Sequence, residues 1–208
     1  MSNPFFSIII PAYNAENHIR KLLDSIRSQT FTNYEVIVVC DSCTDNTEQI
    51  AQSCGAITDT VSFGRDGLSR ARGIELASGQ WILFADDDDW FLHDSAFSAL
   101  YQIASRTQAD VIAFAYECRT RGIVHPSSRT IFVPRIDHVW SSAWRRSAIG
   151  NARFGDAVFC SDTYFLKGMR HCSYTILDTP LYYYNFLRPG SQTDLFCKGI
   201  IKESPVAE

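Results

Sequence analysis

Short apolar runs alternate with longer stretches of mixed polarity through the first 116 residues. The runs are rich in β-branched and aromatic side chains, which favours buried strands. The predicted strands cover residues 5–10, 34–39, 57–62, 81–85 and 110–116. The stretches between the strands have apolar residues at helical spacing. The predicted helices cover residues 16–29, 45–54, 68–78 and 95–106. This alternation predicts an α/β fold with a mostly parallel sheet covered by helices on both faces.

Individual side chains suggest where the helices begin, end and face the core. Asn14 is a candidate N-cap for the first helix, because its side chain can accept a hydrogen bond from a free backbone N–H. Gly79 suits the C-terminal end of the third helix. In that helix, Leu68, Ala71 and Ile74 are expected to face inward.

The alternation weakens after residue 117. The predicted elements there are a strand at 131–133, helical stretches at 141–149 and 162–169, and a strand or turn at 174–184. The tail at residues 202–208 is expected to be disordered. No repeat or linker divides the chain, so we expect one domain over residues 1–208, with halves at about 1–95 and 96–200.

Charge and hydropathy narrow the classes of protein. The 208-residue chain has a formal net charge of -4, so no bulk electrostatic attraction to nucleic acid is expected. No apolar run approaches the roughly 18 residues that span a bilayer. The first residues lack the basic start and apolar stretch of a secretory signal, so we expect a cytoplasmic protein. Seven cysteines, an odd number, do not resemble the framework of a small disulfide-rich protein.

Carboxylates follow two of the predicted strands. Asp41 comes after the second strand, and four aspartates at 86–89 come directly after the strand at 81–85. Ligands of open parallel sheets bind at the carboxyl ends of the strands. Adjacent carboxylates repel one another, and a divalent cation held by carboxylate and phosphate oxygens would offset their charge. The alternative is a solvated loop in which Asp89 or Asp94 caps the next helix.

Several sequence blocks match one known family in order and spacing. They are residues 10–16, 22–26 with 29–30, 34–39, 41 with 44–47, 67–72 with 77–79, and 81–90. Together they resemble the family 2 glycosyltransferases, which have the GT-A fold, a Rossmann-like three-layer α/β/α arrangement. The resemblance implies an inverting enzyme that moves a sugar from a nucleotide-sugar donor, UDP-linked, to a hydroxyl of a saccharide or glycolipid acceptor. It also implies Mn²⁺ or Mg²⁺ as cofactor and peripheral association with the inner face of a membrane.

The same resemblance assigns roles to side chains of both halves. The first half would bind the nucleotide sugar and the second half the acceptor. Asp88 and Asp86, in the family's Asp-x-Asp motif, are the expected metal ligands. The residues assigned to the nucleotide sugar are Pro11, Tyr13, Glu16, Asp41, Gly67, Arg72, Asp86, Asp87, Arg188 and Ser191. A half-buried loop aromatic is the alternative for Tyr13, and a solvated helix face is the alternative for Arg72.

The inverting reaction needs a carboxylate that removes the proton of the acceptor hydroxyl. Asp162 matches the family's base, and Asp156 is the second candidate. The alternative for Asp162 is that it only caps the helix that follows. Ser161 stands where the family has a glutamate. Trp140 and Trp144 could form a stacking surface for an acceptor sugar.

Two rival functions remain open from the sequence. Departures from the family pattern at Cys40, Ser42, Cys43 and Gly73 would also suit a non-catalytic module that binds nucleotide sugars. Cys40 and Cys43 follow a strand and precede a helix, which is the position of a thioredoxin-like dithiol.

Overall fold

Strands and helices alternate through residues 3–126, 138–155 and 161–199, the part of the chain that the computed structural model describes. The strands are β1 (Phe6–Ala12), β2 (Tyr34–Asp41), β3 (Ile57–Val61), β4 (Trp81–Phe84), β5 (Trp90–Phe91), β6 (Val111–Cys118), β7 (Gly122–Val124), β8 (Ser142–Arg145) and β9 (Tyr174–Tyr184). The helices are α1 (Ile19–Arg27), α2 (Thr47–Ser53), α3 (Asp66–Leu76), α4 (Ala96–Ala104), α5 (Arg146–Ile149), α6 (Asp162–Gly168) and α7 (Gln192–Cys197), with a 3₁₀ turn at Val139–Ser141.

All described strands belong to one sheet, in the order β3-β2-β1-β4-β8-β6-β9-β5, with β7 paired to β6. The four strands β3, β2, β1 and β4 are parallel. Beyond β4 the sheet is mixed, because β8 pairs antiparallel with both β4 and β6, whereas β9 is parallel to β6. The predicted α/β class is therefore confirmed, with antiparallel pairs in the second half.

The parallel strands are buried, as their near-continuous apolar sequences require. In β4, Trp81, Ile82, Leu83 and Phe84 are each at most 1% exposed. The register pairs Phe84 with Ile9 of β1, and Ala12 of β1 with Cys40 of β2. The carboxyl ends of β1, β2 and β4 therefore lie at the same edge of the sheet.

Helix α1 begins three residues later than predicted. Its first residue is Ile19, and His18 occupies the N-cap position without a side-chain hydrogen bond that caps the helix. The prediction that Asn14 caps this helix is wrong. Asn14 adopts a positive φ of 48°, and its Oδ1 accepts a hydrogen bond from the Thr44 backbone nitrogen at 2.8 Å. Its side chain thus joins the loops that follow β1 and β2.

Helix α3 packs against β1 through polar and small residues. Its buried positions are Gly67, Ser69, Arg70 and Gly73, and Leu68 is 36% exposed. The prediction that Leu68 faces inward is therefore wrong. A Cβ atom at Gly73 would collide with the side chain of Ile9, so this glycine lets the helix lie close to the strand.

The predicted helix at 141–149 is a strand in its first half and a helix in its second half. Ser142–Arg145 forms β8, and only the four residues Arg146–Ile149 are helical. β8 fills the gap between β4 and β6, and this pairing overrides local helical spacing. The predicted helix at 162–169 and the predicted strand at 174–184 correspond to α6 and β9. The predicted strand at 131–133 and the tail at 202–208 lie outside the described residues.

Gly79 lies beyond the end of α3 and does not cap it, because the helix ends at Leu76. A Cβ atom there would come within 2.7 Å of the Ser7 backbone nitrogen and 2.8 Å of the Phe6 carbonyl carbon. We expect Gly79→Ala to lower the free energy of unfolding by about 2 kcal/mol, because backbone atoms of β1 must move. Urea unfolding followed by circular dichroism measures the change.

Gln102→Ala is the control, since Gln102 is exposed in the middle of α4. This variant should unfold within about 0.5 kcal/mol of the unchanged chain. A Gly79→Ala variant as stable as the control would show that β1 yields to the extra methyl group.

Candidate active site

A cavity of about 800 Å³ opens where β1, β2 and β4 end. One wall comes from the loops after these strands and from the start of α3. The opposite wall comes from residues 138–140, 161–163 and 184–191. Side chains from the first and second halves of the chain therefore face one another across the same space.

The four aspartates after β4 have different partners. Asp86 accepts a hydrogen bond from Arg70 Nη2 at 2.7 Å, and Asp88 accepts one from Arg188 Nε at 2.6 Å. The Asp87 carboxylate lies 3.1 Å from His18 Nε2 and accepts a hydrogen bond from the Tyr13 backbone nitrogen at 3.3 Å. These ties fix the loop against both walls of the cavity, and the alternative of a solvated loop is wrong.

Further contacts hold the buried side of this loop. Asp89, 1% exposed, accepts a hydrogen bond from the Asn185 backbone nitrogen at 2.8 Å. The Asp86 backbone nitrogen donates to the hydroxyl of Tyr182 at 2.9 Å. Tyr182 belongs to β9, so the second half of the chain determines where the acidic loop sits.

Burial disfavours the ionised forms of aspartates in the acidic loop. It raises the pKa of Asp86 to about 7, against the lowering effect of Arg70. Burial also raises the pKa of Asp88, and the neighbouring Asp87 raises it further. A cation beside Asp86 and Asp88 would favour their charged forms, because opposite charge at short range stabilises a carboxylate.

The carboxylates at this site suit a metal ion whose remaining ligands come from the substrate. No group of three or more His, Cys, Asp or Glu side chains is arranged to hold a metal within the described ranges. Asp86 and Asp88 nevertheless present hard oxygen ligands to the cavity. Mg²⁺ commonly binds through one or two carboxylates together with substrate phosphates. These two aspartates would hold the ion, and a diphosphate would complete its coordination.

Asp41 stabilises the loop before α3. Its two carboxylate oxygens accept hydrogen bonds from the Ser42 and Ser69 hydroxyls and from the backbone nitrogens of residues 63–65. Burial opposes ionisation of Asp41, but these hydrogen bonds outweigh it and lower the pKa. Asp41 lines the cavity as predicted, but its oxygens are already engaged, so it shapes the wall more than it accepts bonds from a nucleoside.

Asp162 reaches the same cavity from the start of α6. Its Oδ2 accepts a hydrogen bond from the Val139 backbone nitrogen at 3.1 Å. Its Oδ1 lies 3.6 Å from Arg70 Nη1, and its side chain is 18% exposed. Residue 161 occupies the N-cap position of α6, so the alternative in which Asp162 itself is the cap does not describe the helix.

Most of the side chains assigned from the sequence meet at the cavity. Those that line it are Pro11, Tyr13, Asp41, Asp86, Asp87, Asp88, Asp162, Arg188 and Ser191. Gly67 lies at the start of α3, where a Cβ atom would come within 2.6 Å of the Gly155 carbonyl oxygen. Asp156 lies outside the described residues.

Three of the assigned residues, Gly67, Glu16 and Arg72, do not line the cavity. Arg72 pairs with Asp59 at 2.7 Å and with Glu75 at 2.9 Å, because it projects from the other side of α3. Its assignment to the nucleotide sugar is therefore corrected. Glu16 accepts hydrogen bonds from the backbone and side-chain nitrogens of Asn46, so it joins loops beside the cavity.

The sequence offers Arg65, Arg70 and Arg72 for phosphate oxygens and favours Arg72, whereas Arg70 is the one that lies among the aspartates of the cavity. It lines the cavity, and it contacts Asp66, Asp86 and Asp162. A sequence signal for it exists. Gly67 and Gly73 lie three residues before and after Arg70, so the three share the face of α3 that packs most closely.

The two tryptophans do not present open ring faces. Trp144 is 1% exposed, and its Nε1 donates a hydrogen bond to the Val139 carbonyl oxygen at 2.9 Å. Trp140 is 2% exposed, and its ring stacks on His138 with 4.6 Å between ring centroids. Both tryptophans therefore pack in the core, the alternative to a stacking surface for an acceptor sugar, although Trp140 also borders the cavity. His138, Tyr184 and Phe186 line the cavity at this place.

The cysteine pair gives one test of local electrostatics. Cys40 is buried at the end of β2, and Cys43 is partly exposed. A hydrogen bond from Cys40 lowers the pKa of the Cys43 thiol to about 7, and the same pairing with burial raises the pKa of Cys40. We expect iodoacetamide to alkylate Cys43 with a half-maximal rate near pH 7, because the thiolate is the nucleophile.

Peptide mass spectrometry after short alkylation pulses at different pH values measures this rate. Cys54, which is also partly exposed, is the internal reference for access of the reagent. A Cys43 midpoint at or above the ordinary thiol value of about 8.5 would contradict the expectation.

The strand order and the pocket at the carboxyl ends of β1, β2 and β4 define an α/β domain of the GT-A class. The family model for glycosyl transferase family 2 matches residues 7–170. The chain belongs to this family. The membership makes the thioredoxin-like alternative wrong as a class of protein.

Solved structures with the same fold include S. aureus TarS 1–349 in complex with UDP. It matches with a TM-score of 0.77 and 23% identity over 86% of this chain and 60% of that one. The mannosyltransferase PcManGT from Pyrobaculum calidifontis, in complex with GDP-Man and Mn²⁺, matches with a TM-score of 0.69 and 16% identity. That match covers 99% of this chain and 67% of PcManGT. These similarities establish the GT-A fold.

A curated relative is the GalNAc(5)-diNAcBac-PP-undecaprenol beta-1,3-glucosyltransferase of Campylobacter jejuni. It is 26% identical over 176 residues, which cover 75% of this chain and 56% of the relative. Three other curated relatives are matched over only 16%, 61% and 66% of their lengths. Within the described parts of the chain, no helix combines the length and apolarity needed to cross a bilayer.

Proposed function

We propose that this chain is the catalytic part of a metal-dependent inverting glycosyltransferase. It would move a sugar from a nucleoside diphosphate donor, UDP-linked, to a hydroxyl group of a saccharide or glycolipid. The observation that carries the proposal is the shared cavity. Asp86 and Asp88 face it from the first half of the chain, and Asp162 faces it from the second.

The chemistry is a single displacement at the anomeric carbon. The acceptor oxygen forms a bond to this carbon while the bond to the diphosphate oxygen breaks, and the bonding electron pair leaves with the diphosphate. Asp162 takes the proton of the acceptor hydroxyl, for which its carboxylate must be ionised. Mn²⁺ or Mg²⁺ between Asp86 and Asp88 would offset negative charge on the leaving diphosphate.

Other residues of the chain would bind the two substrates. Tyr13 is 65% exposed at the rim of the cavity, so its ring can stack on a nucleobase. Arg188 lies beside Asp88, where its guanidinium can also reach a phosphate oxygen. His138, Tyr184 and Phe186 form the aromatic wall beside Asp162, where an acceptor ring would lie.

The comparisons support the donor and acceptor classes. TarS binds UDP and PcManGT binds GDP-Man with Mn²⁺ at a similar fold. The Campylobacter jejuni relative is named for a diphosphoundecaprenol-linked acceptor. A glycolipid acceptor would bring this chain to the inner face of a membrane as a peripheral protein.

The proposal is tested by ligand-dependent melting followed by turnover. UDP-sugars and GDP-mannose are screened with Mn²⁺, with Mg²⁺ and with EDTA, because a ligand that binds only the folded state raises the melting temperature. Donors that raise it are then assayed for transfer to free saccharides and to diphosphoundecaprenol-linked saccharides. We expect metal-dependent stabilisation by a UDP-sugar and release of UDP with an acceptor. Stabilisation without transfer or donor hydrolysis across the panel would favour the non-catalytic binding module instead.

A further inference from the structure

One buried guanidinium connects three carboxylates at the back of the cavity. Arg70 Nη2 lies 2.7 Å from Asp86 Oδ1, and Nη1 lies 3.6 Å from Asp162 Oδ1 and also contacts Asp66. The Arg70 side chain is 6% exposed, whereas the three aspartates are 18% to 28% exposed. The guanidinium is thus more deeply buried than the three carboxylates that it contacts, although Arg70 also borders the cavity.

The surrounding backbone holds Arg70 at a fixed place relative to α6. A Cβ atom at Gly67 would come within 2.8 Å of the Ser161 Cβ, so the starts of α3 and α6 are in direct contact. The Ser161 hydroxyl donates a hydrogen bond to Asp66 Oδ2 at 3.2 Å. Asp162, the next residue along α6, is therefore brought to Arg70 by two independent contacts.

We propose that Arg70 is the positioning residue that sets where the base Asp162 stands relative to the donor-side aspartate Asp86. It would act through both carboxylates at once, because a planar guanidinium can bind different acceptors on its separate nitrogens. A lysine ammonium is a point charge and would not hold the Asp86 and Asp162 carboxylates at the same relative positions. This inference rests on the proposed function, in which Asp162 is the base.

The test combines single and double variants in the transfer assay. Arg70→Met is expected to lower kcat by roughly 100-fold, because a displacement of the base by about 1 Å can have that effect. Arg70→Lys should recover only a small part of the loss. If Arg70 acts through Asp162, then Arg70→Met combined with Asp162→Asn should have nearly the kcat of Asp162→Asn alone. Losses that multiply would overturn the inference.

Arg72→Met is the matched control. It removes the same kind of side chain from the same helix, but its ion pairs with Asp59 and Glu75 lie outside the cavity. We expect its kcat to stay within about twofold of the unchanged chain. Circular dichroism and the melting temperature of each variant separate a loss of folding from a loss of positioning.

A crystal structure of Arg70→Lys provides a readout that does not need turnover. The expected result is an Asp162 carboxylate that no longer faces Asp86. An Asp162 side chain in its original place, still accepting the hydrogen bond from Val139, would overturn the inference. Absence of transfer by the unchanged chain would instead contradict the proposed function, so the two failures can be told apart.

Discussion

Replacing Asp162 with asparagine is expected to lower kcat for sugar transfer by roughly 100- to 10,000-fold. Asparagine has nearly the same shape and can still accept the hydrogen bond from the Val139 nitrogen at 3.1 Å. It cannot take a proton from the acceptor hydroxyl. Because Asp162 belongs to the wall opposite the nucleotide side, donor affinity should change by less than about threefold.

Donor affinity is measured by isothermal titration calorimetry without acceptor, and transfer is measured as UDP release at saturating donor. Asp24→Asn is the control, because Asp24 is exposed on α1, far from the cavity lining, and its carboxylate pairs with the exposed Arg27. Near-normal transfer by Asp162→Asn would move the base elsewhere. Asp156 would then be the next residue to substitute. A loss of donor affinity equal to the loss of kcat would indicate that Asp162 serves binding.

The donor side of the site was predictable because it depends on chain order and sheet geometry. Parallel strands end at the same edge, so loops that follow them must meet. Tyr13 follows β1, Asp41 ends β2 and Asp86 follows β4, and all three line the cavity. Local sequence therefore contained enough information for this part of the site.

It was harder to predict which arginine of α3 reaches the cavity, because this depends on which face of the helix is buried. Apolar spacing predicted Leu68 at the core, but the helix packs through Gly67, Arg70 and Gly73. Close approach to β1 and to α6 excludes large apolar side chains there. A buried arginine among carboxylates does not contribute to a hydrophobic pattern. No hydrophobic pattern in the sequence therefore favoured Arg70 over Arg72.

The second half was harder to predict because its strands are specified by distant partners. Ser142–Arg145 has no strong strand pattern of its own, but it lies between β4 and β6. The contacts of Asp162 depend on this arrangement, since Val139 and β8 are adjacent in the chain. Predicting the base from the sequence relied on family resemblance, whereas its surroundings required the folded chain.

Replacing Asp88 with asparagine is expected to abolish the metal dependence of donor binding. The substitution removes a charged oxygen ligand and leaves Asp86 alone to hold the ion, so donor affinity with Mn²⁺ should fall by roughly 100-fold. Arg188 loses the negative charge of its 2.6 Å partner at the same time and becomes more available to the diphosphate. Weak residual binding should therefore remain, and it should be equal in Mn²⁺ and in EDTA.

Calorimetric titration of UDP in both buffers measures the two affinities. Asp59→Asn is the control, because Asp59 is an aspartate of β3 that pairs with Arg72 outside the cavity. It should bind UDP like the unchanged chain, with the same difference between Mn²⁺ and EDTA. If Asp88→Asn kept that difference, the ion would have to bind elsewhere. Asp87, which lines the cavity beside Asp88 and has His18 as its neighbour, would then be the next aspartate to substitute.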